Sequence, residues 1–184
     1  MNNKIVKLAF VLFLICAIVA GVLGVVNELT YRRIDEITAA KTKAAFEAVL
    51  AISPDAQFEE IPFSNPDFPT IDTVHKATDG AGYVVTSTFS GAQGNITLAV
   101  GVDSDYKCSG ISVIEHSETS GLGANAASTG EVGVKFRAQF VGEDENIALS
   151  KVGGNIDALT GATITSRSIT GAVATSIQAV KSLG

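Results

Sequence analysis

The feature that most constrains this chain is an uninterrupted apolar run near its N-terminus. Residues 8–26 carry no charge and consist mostly of Leu, Ile, Val, Phe, Ala and Gly. As a helix rising about 1.5 Å per residue, the run nearly matches the ~30 Å hydrocarbon core of a bilayer. The sequence therefore predicts a cytoplasmic segment at 1–7, one transmembrane helix at 8–26, a helical stalk at 27–52 and one domain at 53–184.

A cleaved signal peptide is the alternative interpretation, because Lys4 and Lys7 form a basic start. The apolar run is longer than the usual signal core of about 7–15 residues, and no clear small-x-small cleavage site follows it. A lipoprotein signal is disfavoured because the bulky Ile15 precedes Cys16. The basic start favours a cytoplasmic N-terminus. We therefore expect a single-pass protein of the cell membrane with its domain on the extracytoplasmic side.

Charge and cysteine content exclude several classes for that domain. Of the 13 basic residues, 11 remain after Lys4 and Lys7 are removed, against 19 acidic ones, which leaves a net charge of −8. An acidic domain without Trp or basic clusters is a poor candidate for binding nucleic acid. Outside the apolar run Cys108 is the one cysteine. No disulfide can therefore form within the domain, and we expect no metal site.

Hydrophobic periodicity predicts an α+β fold after the membrane span. Apolar residues recur at helical spacing in 27–52, whereas all four prolines fall in 53–70, which predicts an irregular loop there. Short Val-, Ile-, Thr- and Tyr-rich blocks, separated by Gly, Asn, Asp and Ser, predict an antiparallel meander. The blocks are residues 83–89, 96–102 and 108–114. We expect this antiparallel sheet to be flanked by helices.

Two C-terminal segments differ in how well their structure is predicted. Residues 131–140 have apolar side chains on mixed periods, so their structure stays open. The last segment has one apolar face at helical spacing, from Ile169 to Val180. It follows the hydroxyl-rich string 157–166, and Ser166 or Ser168 is available as the N-cap. The string is either no more than a turn before a helix, or a place where a phosphate meets a helix N-terminus.

A resemblance distinguishes these two interpretations. Asp157, Thr160, Gly161, Ala162 and Thr163 resemble the Asp-x-x-(Ser/Thr)-Gly-Ala-Thr flavinylation motif. This motif belongs to the FMN-binding domain family, which is found in the G subunit of Rnf complexes and in the C subunit of sodium-pumping NADH:quinone oxidoreductases. The resemblance implies that Thr163 carries FMN through a phosphoester bond, and that Thr160, Gly161 and Ala162 also belong to the cofactor site.

A second block, residues 116–123, resembles the His-x-Glu-Thr-Pro-Gly-Leu-Gly loop of the same family, with Ser120 in place of proline. The loop implies flavin contacts, although it could also be only a Gly-rich turn. Thr165 is a further candidate near the phosphate or a second turn hydroxyl. Phe136 and Phe140 could cover the ring, but Phe at such spacing is more often core. The contacts that the loop implies come from Glu118, Thr119, Gly121, Leu122 and Gly123.

The resemblance also implies a function and partners. It implies electron transfer, without independent catalysis, within an ion-translocating ferredoxin:NAD⁺ oxidoreductase (Rnf) complex whose other membrane subunits are partners. A separate flavin transferase would attach the FMN. Asp157 would then belong to the sequence that this transferase recognises, or else bond local backbone amides. The alternatives are the C subunit of the quinone reductase and a membrane-tethered structural or binding domain without flavin.

Overall fold

The computed structural model describes residues 2–51, 53 and 56–183. Its elements are α1 (Asn2–Val49), β1 (Phe58–Ile61), β2 (Ile71–Ala77), β3 (Gly82–Ser90), β4 (Asn95–Asp103), β5 (Cys108–His116), α2 (Glu131–Ala138) and α3 (Thr163–Lys181). Two short 3₁₀ helices, Gly123–Ala127 and Ser150–Val152, lie in the connections. The chain divides into two compact units, Met1–Ala40 and Lys41–Gly184.

The first unit contains the apolar run. Its segment Lys4–Tyr31 is 28 residues long, reaches a mean hydropathy of 3.0 and is not buried by other parts of the structure. At about 1.5 Å per residue it is long enough to cross a bilayer. The helix predicted for 27–52 is present as far as Val49, while Ile52 lies outside the described residues.

The second unit is built on a five-stranded antiparallel meander in the order β1-β2-β3-β4-β5. The three predicted strands are present as β3, β4 and β5. Two others were missed: β1 lies inside the segment predicted to be an irregular loop, and β2 follows it directly. Gly and Asp residues at the strand connections and alternating apolar side chains account for the three that were found.

Helices cover both faces of this sheet. On one face, α2 and α3 pack on the sheet through the larger core cluster. On the other, the end of α1 packs through a smaller cluster that includes Phe46, Val49, Val84 and Ala99. Period-two alternation directs neighbouring strand residues to opposite faces, so Val84 and Val85 belong to different clusters. The predicted α+β architecture is confirmed.

A pair of glycines lets the end of α1 approach the sheet closely. Gly101 and Gly110 are cross-strand partners on β4 and β5. A Cβ on Gly101 would lie 2.2 Å from the carbonyl oxygen of Val49. The Ser109 hydroxyl donates a 2.5 Å hydrogen bond to the same oxygen. This oxygen is one of the carbonyls that a helix end leaves without an intrahelical donor, so β5 completes the C-terminus of α1.

The C-terminal half also resolves what the sequence left open. Residues 131–138 form α2, and Phe136 and Phe140 are buried core residues in an edge-to-face pair 5.3 Å apart. They lie in the core cluster rather than over a cofactor cavity. The predicted N-cap is wrong: α3 begins at Thr163, and its N-cap residue, Ala162, has no side-chain hydrogen bond.

Ser166 has a different role from the one predicted. It lies inside the first turn of α3, where its hydroxyl donates to the Ala162 carbonyl at 2.9 Å. The hydroxyl oxygen of Ser166 in turn accepts the N–H of Leu159 at 2.9 Å. Ser166 is fully buried, so these bonds tie the hydroxyl-rich turn to the helix it precedes.

Candidate functional site

Three chain segments enclose a cavity of about 290 Å³ at one end of the sheet. The segments are the turn between β3 and β4, the loop that follows β5 and the turn that enters α3. The two motifs, about 40 residues apart in sequence, meet there. The lining residues are Ala92, Gln93, Glu118, Thr119, Leu122, Gly123, Gly161, Ala162, Thr163, Ile164 and Thr165.

Thr163 is the first residue of α3 and is half-buried in the cavity wall. The first backbone N–H groups of a helix have no intrahelical acceptor and carry the positive end of the helix dipole. The first turn of α3 holds no acidic residue. An anionic group on the Thr163 hydroxyl would therefore meet N–H donors and no opposing carboxylate from the helix itself.

Gly161 allows the chain to turn sharply into α3. Its φ is +73°, in the left-handed region that disfavours residues with a Cβ. A Cβ placed there would also lie 3.0 Å from Cδ2 of Leu122. The backbone conformation thus favours the glycine of the motif, while an added Cβ would also displace the end of the exposed Leu122 side chain.

Glu118 joins the three segments of the cavity wall. Its Oε1 accepts the backbone N–H of Ala92 at 2.8 Å and that of Gln93 at 3.1 Å. Its Oε2 accepts the hydroxyl of Thr165 at 2.5 Å. The loop after β5 is thereby bound to the β3–β4 turn and to the first turn of α3.

The Glu118 carboxyl is ionised at neutral pH. Desolvation by burial is the largest single influence and raises its pKa. The hydrogen bonds from Thr165, Gln93 and Ala92, with the nearby His116, together outweigh it, so the pKa lies below its usual value. Hydrogen bonds to the charged form stabilise that form.

Asp157 lies outside the cavity lining, on an exposed turn. Its Oδ1 accepts the Ser150 hydroxyl at 2.8 Å. Gln139 holds its backbone from both sides, accepting the Asp157 N–H at 2.7 Å and donating to its carbonyl at 3.3 Å. The backbone at Asp157 is therefore held firmly while the residue itself remains exposed.

The structure brings most of the predicted site residues together. Thr160 and Gly121 are exposed and, like Asp157, do not line the cavity. Sequence reasoning missed Ala92, Gln93 and Ile164. Gly91 and Gly94 indicate a turn at Ala92 and Gln93 between two predicted strands. Because this turn is far from both motifs in the sequence, no pattern links it to the site. The predicted residues that line the cavity are Glu118, Thr119, Leu122, Gly123, Gly161, Ala162, Thr163 and Thr165.

A larger cavity of about 740 Å³ lies elsewhere, between the end of α1 and strands β4 and β5. It is an open, largely polar groove whose lining includes Lys41, Thr97 and Ser112. Its lining includes His116 at the end of β5 and Ser117 in the loop that follows, but no residue of the hydroxyl-rich turn. The smaller cavity, which holds an acceptor hydroxyl at a helix N-terminus, is therefore the candidate site.

Comparison with known proteins identifies the class. The FMN-binding domain family matches residues 91–178, and the N-terminal region typical of RnfG matches residues 1–49. The first match covers all three segments of the cavity, and the second covers α1. The chain is thus an electron-transfer flavoprotein subunit with an FMN-binding domain and an N-terminal membrane helix.

Full-length relatives narrow the class to a family. The G subunit of the ion-translocating oxidoreductase complex of Methanosarcina acetivorans is 32% identical over 97% of this chain and 96% of its own. The G subunit of the Na⁺-translocating ferredoxin:NAD⁺ oxidoreductase complex of Acetobacterium woodii is 33% identical over 96% and 92%. A third relative aligns over a shorter stretch. The G subunit of the proton-translocating ferredoxin:NAD⁺ oxidoreductase complex of Clostridium ljungdahlii is 38% identical over 57% of this chain and 56% of its own. The chain belongs to the family of G subunits of ion-translocating (Rnf) oxidoreductase complexes.

Proposed function

We propose that this chain carries FMN covalently on Thr163 and passes electrons between redox centres of an Rnf-type complex in the cell membrane. The observation that carries the proposal is the position of the Thr163 hydroxyl. Thr163 is half-buried in a cavity formed by both family motifs, at the first residue of a helix whose N-terminus favours an anion.

The residues present fit an FMN phosphate. A phosphoester on Thr163 places phosphate oxygens beside the N–H groups of the first turn of α3. The bond would form between Thr163 Oγ1 and the FMN phosphorus of FAD, with AMP as the leaving group and the hydroxyl proton lost. A separate flavin transferase carries out this step. Covalency keeps the cofactor in place at any outside flavin concentration.

The rest of the wall suits the flavin ring. Leu122 and Ile164 line the cavity with apolar side chains that are 43% and 61% exposed. Exposed apolar side chains beside a cavity gain free energy when a flat ring covers them. At about 290 Å³ the cavity is at the lower end of the usual ligand range. A cavity of this size would leave part of the ring open to a redox partner, and FMN, when bound, would supply the redox chemistry.

Partners and orientation complete the proposal. The other membrane subunits of the complex dock on the domain, which lies on the extracytoplasmic side of a single-pass anchor. The membrane span predicted at 8–26 belongs to this proposal, and the folded unit that carries the site includes the end of the predicted stalk, since it begins at Lys41. Asp157 is presented to the flavin transferase as part of its recognition sequence, since it is exposed and its backbone is hydrogen-bonded to Gln139. The full-length relatives are Rnf subunits, which favours this complex over the quinone reductase.

The test is covalent flavin on the full-length chain. The chain is coexpressed with a flavin transferase, and the protein band is examined by ultraviolet fluorescence after denaturing electrophoresis. We expect a fluorescent wild-type band, a dark Thr163→Ala band and a fluorescent Ser168→Ala band. Ser168 is the matched control, because it is a half-buried hydroxyl on α3 outside the cavity. A dark wild-type band beside an active transferase control would favour a structural domain without flavin.

A further inference from the structure

Glu118 has an unusual position for a residue expected to bind a cofactor. Its side chain is buried, with only 9% exposed, and both carboxylate oxygens accept hydrogen bonds from the chain itself. Oε1 receives two backbone donors, from Ala92 and Gln93, and Oε2 receives the Thr165 hydroxyl. A carboxylate offers about four lone-pair sites, so three of them are occupied.

Two glycines shape the space around this carboxylate. A Cβ on Gly91 would lie 2.3 Å from Glu118 Oε1, and a Cβ on Gly123 would lie 2.3 Å from Oε2. The Cβ on Gly123 would also lie 2.7 Å from the Thr165 hydroxyl. Backbone without side chains thus packs against both carboxylate oxygens from two segments, so that Glu118 meets the cavity with only a small part of its surface.

We infer that Glu118 is a positioning residue of the attachment site: it does not bind FMN but ties the β3–β4 turn to the first turn of α3 and so orients Thr163. The flavin part of this inference rests on the proposed function. The link between the three segments rests on the contacts alone.

The connection to Thr163 runs through α3. The N-cap residue of α3 makes no side-chain hydrogen bond, so the helix lacks the usual device that fixes a first turn. Thr165 is 1% exposed and donates to Glu118, two residues beyond Thr163 in the same turn. Removal of that acceptor removes the tie between the first turn of α3 and the loop after β5, and leaves the turn only the bonds of Ser166.

Electrostatics favour positioning over ligand binding. A carboxylate in direct contact with the FMN phosphate would place two anions side by side, which is unfavourable in a partly buried site. The three donors to Glu118 instead compensate its charge within the wall. The phosphate is then left with the N–H groups of α3.

The test uses four full-length variants coexpressed with a flavin transferase. Glu118→Gln keeps Oε1 for the two turn amides, and its new amide group donates to the Thr165 oxygen. Glu118→Ala removes all three hydrogen bonds of the carboxylate, while Thr165→Val removes only the bond between Glu118 and α3. Glu131→Ala is the matched control, because Glu131 is a surface glutamate whose partner, Lys135, is also exposed.

Two readouts are measured on each variant: the flavinylation rate, as flavin per folded protein in samples taken during coexpression, and amide hydrogen exchange in detergent. In Glu118→Ala we expect the flavinylation rate to fall about tenfold to a hundredfold, the cost of misplacing a reacting group by about 1 Å. Exchange at residues 92 and 93 and at 166–168 rises about tenfold, as for loss of a hydrogen bond to a charged group. Glu118→Gln stays within about twofold of wild type.

Thr165→Val separates the two halves of the link. We expect faster exchange at 166–168 and a lower flavinylation rate, with exchange at 92 and 93 unchanged.

Several outcomes would overturn the inference. A Glu118→Gln variant as defective as Glu118→Ala would assign the effect to the charge of Glu118 rather than to the link that its hydrogen bonds form. Wild-type flavinylation and exchange in Glu118→Ala would remove the positioning role. If wild type itself takes up no flavin, the proposed function fails, while the exchange pattern still decides whether Glu118 links the three segments.

Discussion

Gly123→Ala is the substitution whose effect follows most directly from the geometry of the cavity wall. Its new Cβ would lie 2.3 Å from Glu118 Oε2 and 2.7 Å from the Thr165 hydroxyl. Neither group can retreat freely, since backbone amides hold the other Glu118 oxygen and Thr165 is 1% exposed. The clash is relieved when the hydrogen bond between Glu118 and Thr165 breaks.

The magnitude follows from that bond. Loss of a hydrogen bond to a charged group costs about 1.5–3 kcal/mol of unfolding free energy. For a domain of this size each kcal/mol lowers the melting temperature by about 2–4 °C, so we expect a decrease of about 3–12 °C. The assay is thermal unfolding of the full-length protein in detergent, monitored by the protease susceptibility of the domain, with the flavin content measured in parallel.

Gly121→Ala is the control, two residues earlier in the same loop. Gly121 has a φ of +77° and no atom within 4 Å of an added Cβ, so its substitution costs only the left-handed conformation, about 1 kcal/mol. A Gly123→Ala variant that is no less stable than Gly121→Ala would refute the reasoning. It would mean that the carboxylate can move without losing Thr165.

Three further predictions concern the core. Burial of His75 against Phe46 lowers the pKa of His75 more than Glu60 raises it. The unfolded chain therefore takes up the proton first as the pH drops, and stability falls below about pH 6.5. His75→Leu should flatten this dependence in denaturant midpoints measured between pH 7 and pH 5. Phe140→Ala, at a fully buried position, should cost about 3–5 kcal/mol in chemical denaturation. Gly101→Ala should cost about 1–3 kcal/mol by displacing the end of α1, seen as faster amide exchange at residues 45–49.

The sequence predicts the central strands better than the first two. β3, β4 and β5 have apolar runs bounded by Gly, Asp and Ser, and such boundaries are local signals. β1 has only four residues and lies beside Pro62, so the prolines around it suggested a loop. β2 carries Asp72 and His75 among its apolar residues, and only its pairing with β1 and β3 makes it a strand.

The candidate site was predictable in its parts but not in its connections. The two motifs indicate Thr163 and the loop after β5, and the structure brings them together in one cavity. The residue type of Thr165 does not tell whether its hydroxyl faces a phosphate or a carboxylate. That depends on the register between α3 and the loop after β5, which is set by packing across the sheet and leaves no pattern in either segment.

The packing of the end of α1 on Gly101 and Gly110 has a practical consequence for producing the domain without its membrane helix. Ala45, Phe46, Val49 and Leu50 are core residues of the folded unit, which begins at Lys41. A soluble fragment started at Ser53 would leave Val84 and Ala99 facing water and would be prone to aggregate, whereas one started at or before Lys41 retains the cover. The first part of α1 is thus the membrane anchor, and its last part belongs to the core of the domain. A soluble fragment should therefore begin within the helix rather than after it.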